Sequence, residues 1–188
     1  MKTLYLMRHG ETLFNQLRRI QGWCDSPLTA RGIGQALAAS QWFAAQGITL
    51  DEAYCSTAER AADTLELVTK LPYQRKKGLR EHGFGQFEGQ PEYLNPTPPY
   101  GDFFVPWGGE SDAQLEARIT QTIDTIMEQA TGANILVVSH AGACHTFLQH
   151  YAPNQLHQRL PNAGIIIFDY AQGDFKLRQI VDPENAQA

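Results

Sequence analysis

Two histidines in this chain of 188 residues stand in matching contexts, and their chemistry is the natural place to begin. His9 closes a short apolar run and precedes Gly10; His140 follows Ile135-Leu136-Val137-Val138-Ser139 and precedes Ala141-Gly142. In open α/β sheets ligands collect at the carboxyl ends of the strands. If the two strands are parallel neighbours, both imidazoles enter one crevice. Arg8 adjoins His9, and Arg60 falls in the first turns of a helix that follows a second strand. A guanidinium fork matches phosphate oxygens in a bidentate manner, and a helix amino terminus favours an anion. Phosphoryl transfer needs a nucleophile, cations for the equatorial oxygens and an acid for the leaving group. A neutral imidazole is a competent nucleophile near pH 7. Glu81, in a Leu79-Arg80-Glu81-His82-Gly83 stretch that breaks helical patterning, is the candidate acid. Each residue alone has a plainer reading, as a strand-end histidine, a solvated helix arginine or a surface glutamate; the set is what points to phosphate chemistry.

The elements that must position these groups alternate strand and helix, which predicts a three-layer α/β/α domain with a mostly parallel central sheet. Thr3–Met7 reads as a buried strand, Glu52–Cys55 as a weaker one and Asn134–Ser139 as the clearest; Ile165–Tyr170 and Phe175–Val181 form a final pair around Gln172-Gly173-Asp174. Thr29 offers a cap to a helix whose apolar stripe would be Ile33, Leu37, Ser40 and Ala44, ending at Gly47. A second helix runs from Ser56 or Thr57 to about Lys70. Ser111 caps a third, with Leu115, Ile119, Ile123 and Ile126 at helical spacing. A further helix begins after Gly142, and Asp182–Ala188 reads as a frayed tail. The whole chain, 1–188, reads as one domain with a proline- and aromatic-rich insertion at about 90–109. That insertion is either a structured surface loop or a lid, with Phe103, Phe104 and Trp107 as candidate contacts to an organic leaving group.

Taken in order, five segments resemble the histidine phosphatase (phosphoglycerate mutase-like) superfamily. They are Leu6-Met7-Arg8-His9-Gly10-Glu11-Thr12 with Asn15; Gly22-Trp23-Cys24-Asp25-Ser26-Pro27-Leu28-Thr29, leading to Arg31-Gly32 and Gln35-Ala36; Cys55-Ser56-Thr57-Ala58-Glu59-Arg60-Ala61-Ala62-Asp63-Thr64; Leu79-Arg80-Glu81 with Phe84-Gly85 and Glu88-Gly89; and Ser139-His140-Ala141-Gly142. The resemblance implies that His9 attacks phosphorus through Nε2 while a backbone carbonyl holds its Nδ1–H. It further implies that Glu81 protonates the departing oxygen and then activates water, and that Arg8, Arg60 and His140 bind the phosphoryl group. Asn15 and Gln21 match positions that line the phosphate pocket, and Ala141 stands where many members have glycine. No metal or other cofactor is implied; the partner is a small phosphate monoester.

Composition narrows the class. Fifteen basic against twenty acidic residues, a net charge of −5, argue against nucleic acid as the main partner without excluding an anionic substrate. The longest apolar run is too short to span a bilayer, so no membrane role is expected. Met1–Arg8 lacks the features of a secretory signal. Cys24, Cys55 and Cys144 form no CxxC pair and fit a cytoplasmic, reducing setting. Three alternatives accompany the phosphatase reading. One is a bisphosphoglycerate-dependent mutase, disfavoured because His82-Gly83-Phe84 replaces the Arg-x-Tyr that this branch of the resemblance carries after the acid. Another is a non-catalytic phospho-ligand module on the same fold. The third is a metal hydrolase using His140, Cys144 and His145.

Overall fold

The computed structural model describes residues 1–153, 155 and 159–186. Its centre is a six-stranded sheet in the order β3-β2-β4-β1-β5-β6, made of β1 (Lys2–Arg8), β2 (Glu52–Ser56), β3 (Tyr73–Lys76), β4 (Asn134–Ser139), β5 (Ile165–Ala171) and β6 (Asp174–Val181). The first four strands are parallel to one another; β5 pairs antiparallel with β1, and β6 pairs antiparallel with β5.

Strand side chains alternate between two faces, and each face has its own core. Leu4, Leu6, Ile135, Val137, Ile166 and Phe168 pack with helices α4 (Asp112–Gln129) and α5 (Ala141–Tyr151). Tyr5, Met7, Leu136, Val138, Ile165 and Ile167 pack with α2 (Ala30–Ala45) and α3 (Glu59–Val68). This is the expected layered α/β fold, with helices on both faces of a mostly parallel sheet. Short α1 (Leu13–Gln16) starts at a Thr12–Asn15 capping box.

Ser111 caps α4, and the stripe read from sequence is the buried one. Helix α2 departs from expectation. Its buried face is Gly32, Gln35, Ala36, Ala39 and Phe43, whereas Ile33 and Leu37 are exposed. Small side chains let α2 lie close to the β1–α1 turn: a Cβ on Gly10 would come within 2.5 Å of the Gly32 carbonyl oxygen. Gln35 Oε1 accepts from the Glu11 N–H there. Helix α3 starts after Ala58 rather than at Ser56 or Thr57, with the Ser56 hydroxyl accepting from the Ala58 N–H. Helix α5 starts at Ala141, two residues before the expected position. Residues 182–186 form a turn closed by Asn185 and Ala186 N–H groups on the Asp182 carbonyl, and Glu184 reaches Arg31 at 3.4 Å. The expected fraying therefore does not extend to these residues; Gln187 and Ala188 lie outside the described ones.

The 90–109 insertion is a structured loop with two short 3-10 turns, Glu92–Leu94 and Val105–Trp107. Phe104 anchors it, fully buried against Ile20 and Phe84. Phe103 and Trp107 pack on Phe87 and remain about two-fifths exposed, at 42% and 44%.

Candidate active site

Strand register brings the two histidines together. Arg8 pairs with Ser139 at the carboxyl end of the β1–β4 ladder, so His9 and His140 are the next residues on adjacent parallel strands. The His9 N–H continues the ladder to the Ser139 carbonyl at 3.0 Å. The ring centroids stand 5.3 Å apart in an edge-on arrangement.

His9 Nδ1 lies 2.7 Å from the Gly10 carbonyl oxygen. A carbonyl can only accept, so Nδ1 carries the proton and Nε2 keeps its lone pair. The backbone around the ring is held from three sides. Gly10 N–H donates to Thr64 Oγ1 at 3.0 Å, whose hydroxyl donates to the Arg60 carbonyl at 2.7 Å. The His9 carbonyl accepts from Asn162 Nδ2 and from Ala163 N–H, each at 3.2 Å. Thr64 thereby ties the His9–Gly10 turn to the helix that carries Arg60.

Arg60 is fully buried. One nitrogen donates to the Cys24 carbonyl at 2.9 Å and Asp25 Oδ1 at 3.0 Å, the other to the Gly22 carbonyl at 2.8 Å. The Gly22–Cys24 loop is organised by Glu88, whose carboxylate accepts from the N–H groups of Gly22, Trp23, Cys24 and Phe84 at 2.8–3.1 Å. Arg8 donates to the Leu160 carbonyl at 2.6 Å. Arg8 Nε, Arg60 Nε and both ring nitrogens of His140 are buried without a partner. Buried polar atoms normally have one; the two guanidinium nitrogens are donors, and the neutral His140 ring offers one N–H and one lone pair.

Electrostatics keep both imidazoles neutral. Burial, then Arg60 and Arg8, push the His9 ring well below its ordinary range; burial, Arg60 and His9 do the same to His140. Burial and the repulsion of Arg159 lower Arg8 to about 9, which leaves it charged at neutral pH.

Glu81 is buried and reaches the amino terminus of α5. Its oxygens accept from Gly142 N–H at 2.8 Å, Ala143 N–H at 3.0 Å and its own neighbour His82 N–H at 2.9 Å. Arg118, on α4, fixes the backbone beneath it. The guanidinium donates to the carbonyls of Gly78, Arg80 and Glu81 at 2.9–3.1 Å and pairs with both Glu110 oxygens. The Glu81 carbonyl also accepts from Trp23 Nε1 at 3.0 Å. His82 turns away from the carboxylate, stacking on Phe84 with Nδ1 against the Gly83 carbonyl.

A cavity of about 850 Å³ opens over these groups, lined at its inner end by Arg8, His9, Asn15, Gln21, Glu81 and Ala141. Arg60 and His140 lie one layer deeper, with no exposed surface. Asn15 Oδ1 is engaged by Thr12 N–H and Asn162 Nδ2, and Gln21 joins Thr12 Oγ1 to Ser26 Oγ. Sequence reading thus located the central groups but missed the supports Thr64, Asn162 and Arg118. Only Thr64 had a local signal, its place at the end of the Arg60 segment.

A model of the histidine phosphatase superfamily (branch 1) matches residues 4–183. The chain belongs to this superfamily. Among curated relatives it is 34% identical to a protein of Yersinia pestis (strain Pestoides F) named "Probable phosphoglycerate mutase GpmB", over 92% of this chain and 86% of that one. Among solved structures it resembles phosphoglycerate mutase from Bacillus anthracis str. Sterne, with 28% identity, a TM-score of 0.85 and coverage of 97% and 94%. It also resembles phosphoserine phosphatase from Entamoeba histolytica, solved with 3-phosphoglyceric acid, at 30% identity, a TM-score of 0.79 and 96% coverage of each chain. As a superfamily member the chain has mutases and phosphatases among its near neighbours.

His140, Cys144 and His145 do not form the cluster that the metal-hydrolase alternative would use. Cys144 is fully buried in the α4–α5 core and burial pushes its thiol up, while His145 is exposed. No group of three or more ligating side chains converges among the described residues.

Proposed function

We propose that this superfamily member is a phosphatase that hydrolyses a small phosphate monoester through a phosphohistidine on His9, with no metal or other cofactor. The observation that carries this reading is the His9 ring with Nδ1 held by a carbonyl, beside the His140 ring and in a site where nitrogens of Arg8, Arg60 and His140 are buried without a partner. His9 Nε2 attacks phosphorus as the P–O bond to the leaving group breaks, and Glu81 gives that oxygen its proton. Glu81 then takes a proton from water as it attacks the phosphohistidine, which returns neutral His9 and inorganic phosphate. Arg8, Arg60 and His140 stabilise the charge on the transferring oxygens throughout, and Asn15, Gln21 and the Ala141 backbone line the same end. Residues 1–188 act as one catalytic domain. Its three cysteines, free of disulfides, fit a cytoplasmic location.

The mutase reading draws on the names of two relatives. It requires a group near Glu81 that retains a second acid; His82 and Phe84 line the cavity there, but they stack on each other within the aromatic cluster under the insertion and bring no arginine or tyrosine. Phosphate release from a panel of monoesters in EDTA separates the readings. Release that His9→Ala eliminates supports the phosphatase; silence on every ester, with phosphoglycerate isomerised once bisphosphoglycerate is added, supports the mutase.

A further inference from the structure

The outer part of the cavity carries a signature of its own, and reading it rests on the phosphatase function above. At about 850 Å³ the cavity is near the upper end for small-molecule sites. It extends along α5 from Ala141 to His150, about 13 Å at the rise of an α-helix. A three-carbon acid would occupy only the inner end of such a length.

Charge argues the same way. Outside the phosphoryl end, the described lining holds three carboxylates, Glu92, Asp112 and Glu116, against two guanidiniums, Arg19 and Arg159, with His82, His145 and His150 beside them. Nearly all of these groups are already engaged. Arg159 pairs with Glu92 at 3.1 Å, Arg19 donates to the Gly89 carbonyl at 2.7 Å, Glu116 meets His150 at 2.7 Å, and Asp112 accepts from the Gly101 N–H at 2.7 Å. No surplus of fixed positive charge awaits a second acid group. The apolar part of the lining is Pro98, Pro99, Tyr100, Leu115 and Leu160. Tyr100 is held edge-on to His82 and Phe104, with centroids at 5.7 and 5.2 Å, so it presents a fixed plane. A rigid apolar wall of this kind suits a ring.

We propose that the leaving group is a neutral, ring-bearing alcohol of aryl or nucleoside size rather than a three-carbon acid. The test compares kcat/KM for benzyl phosphate and a nucleoside 5′-monophosphate with that for glycerol 3-phosphate, 3-phosphoglycerate and phosphoserine, all alkyl esters of similar intrinsic reactivity. Ring-bearing esters should lead by about tenfold or more, and Tyr100→Ala should remove most of that lead while changing glycerol 3-phosphate little, the size of effect one apolar contact supplies. A lead by the two acids, or a selective loss of 3-phosphoglycerate turnover in Arg159→Met, would overturn the inference and leave the phosphatase reading standing. Failure to hydrolyse any of the five esters would overturn both.

Discussion

The carboxylate of Glu81 caps the amino terminus of α5, accepting the Gly142 N–H at 2.8 Å and so binding the candidate acid to the helix that begins immediately after His140. Glu81 and His140 are thereby both set by one helix end. Glu81→Gln keeps an oxygen acceptor but cannot transfer a proton. It should lower kcat for alkyl phosphates by roughly 10²–10⁴-fold, with a much smaller loss for activated aryl phosphates. Equal losses on the two ester classes would remove Glu81 from the acid role.

The same contact makes Gly142 sensitive. A Cβ there would stand 2.5 Å from Glu81 Oε1. Gly142→Ala should displace the carboxylate and reproduce the leaving-group dependence of Glu81→Gln in milder form, read as kcat on alkyl against aryl esters. An unchanged ratio would mean that the capped position is not the working one.

Arg118 does not itself line the cavity but holds three carbonyls of the segment carrying Glu81, that of Glu81 among them. Arg118→Met should cost about 1–3 kcal/mol of stability, since it leaves buried acceptors unpaired. In the protein that remains folded, kcat should fall with KM nearly constant, and most for poor leaving groups. Arg118→Lys, which can serve one acceptor at a time, should recover only part of the loss. A purely structural role would lower Tm without altering leaving-group dependence.

Acid should weaken both activity and fold. His9 and His140 have folded-state pKa values below the ordinary 6.5, so the unfolded chain binds more protons than the native one between those values. Unfolding then takes up protons, and stability falls as pH drops below about 6.5 until the depressed native values are passed. The acid limb of kcat/KM, corrected for the ester's own ionisation near pH 6, should lie well below 6.5. A limb at or above 6.5 assigned to His9 would contradict the neutral, buried nucleophile.

The insertion divides into anchor and wall. Phe104→Ala should cost about 3–5 kcal/mol as a large-to-small change in a packed site, measured by chemical denaturation. Phe103→Ala and Trp107→Ala should cost far less and leave the order of substrates unchanged, because both rings pack on Phe87 outside the cavity.

His9 and His140 could be placed together because each ends an apolar strand, and parallel pairing converts matched strand ends into spatial neighbours. Helix α4 was readable because a serine cap and four aliphatic residues at helical spacing act locally. Helix α2 was misread because close approach to the Gly10 turn selects Gly, Ala and Gln on its buried face, leaving the aliphatic Ile33 and Leu37 outside. Strand β3, Tyr-Gln-Arg-Lys at the sheet edge, has only one neighbour and needs no apolar pattern. Arg118 and Asn162 act across long sequence separations, and nothing near them in the chain announces their partners. Within the insertion, composition signalled aromatic residues near a site but not which rings face it: Tyr100 does, Phe103 and Trp107 do not.

The most direct test of the central claim is a rapid-quench experiment with a ³²P-labelled monoester, stopped in base, followed by mapping of the labelled residue. The account predicts a base-stable, acid-labile phosphoryl group on His9, formed faster than turnover and absent from His9→Ala. Label on another residue, or turnover that persists in His9→Ala, would contradict it.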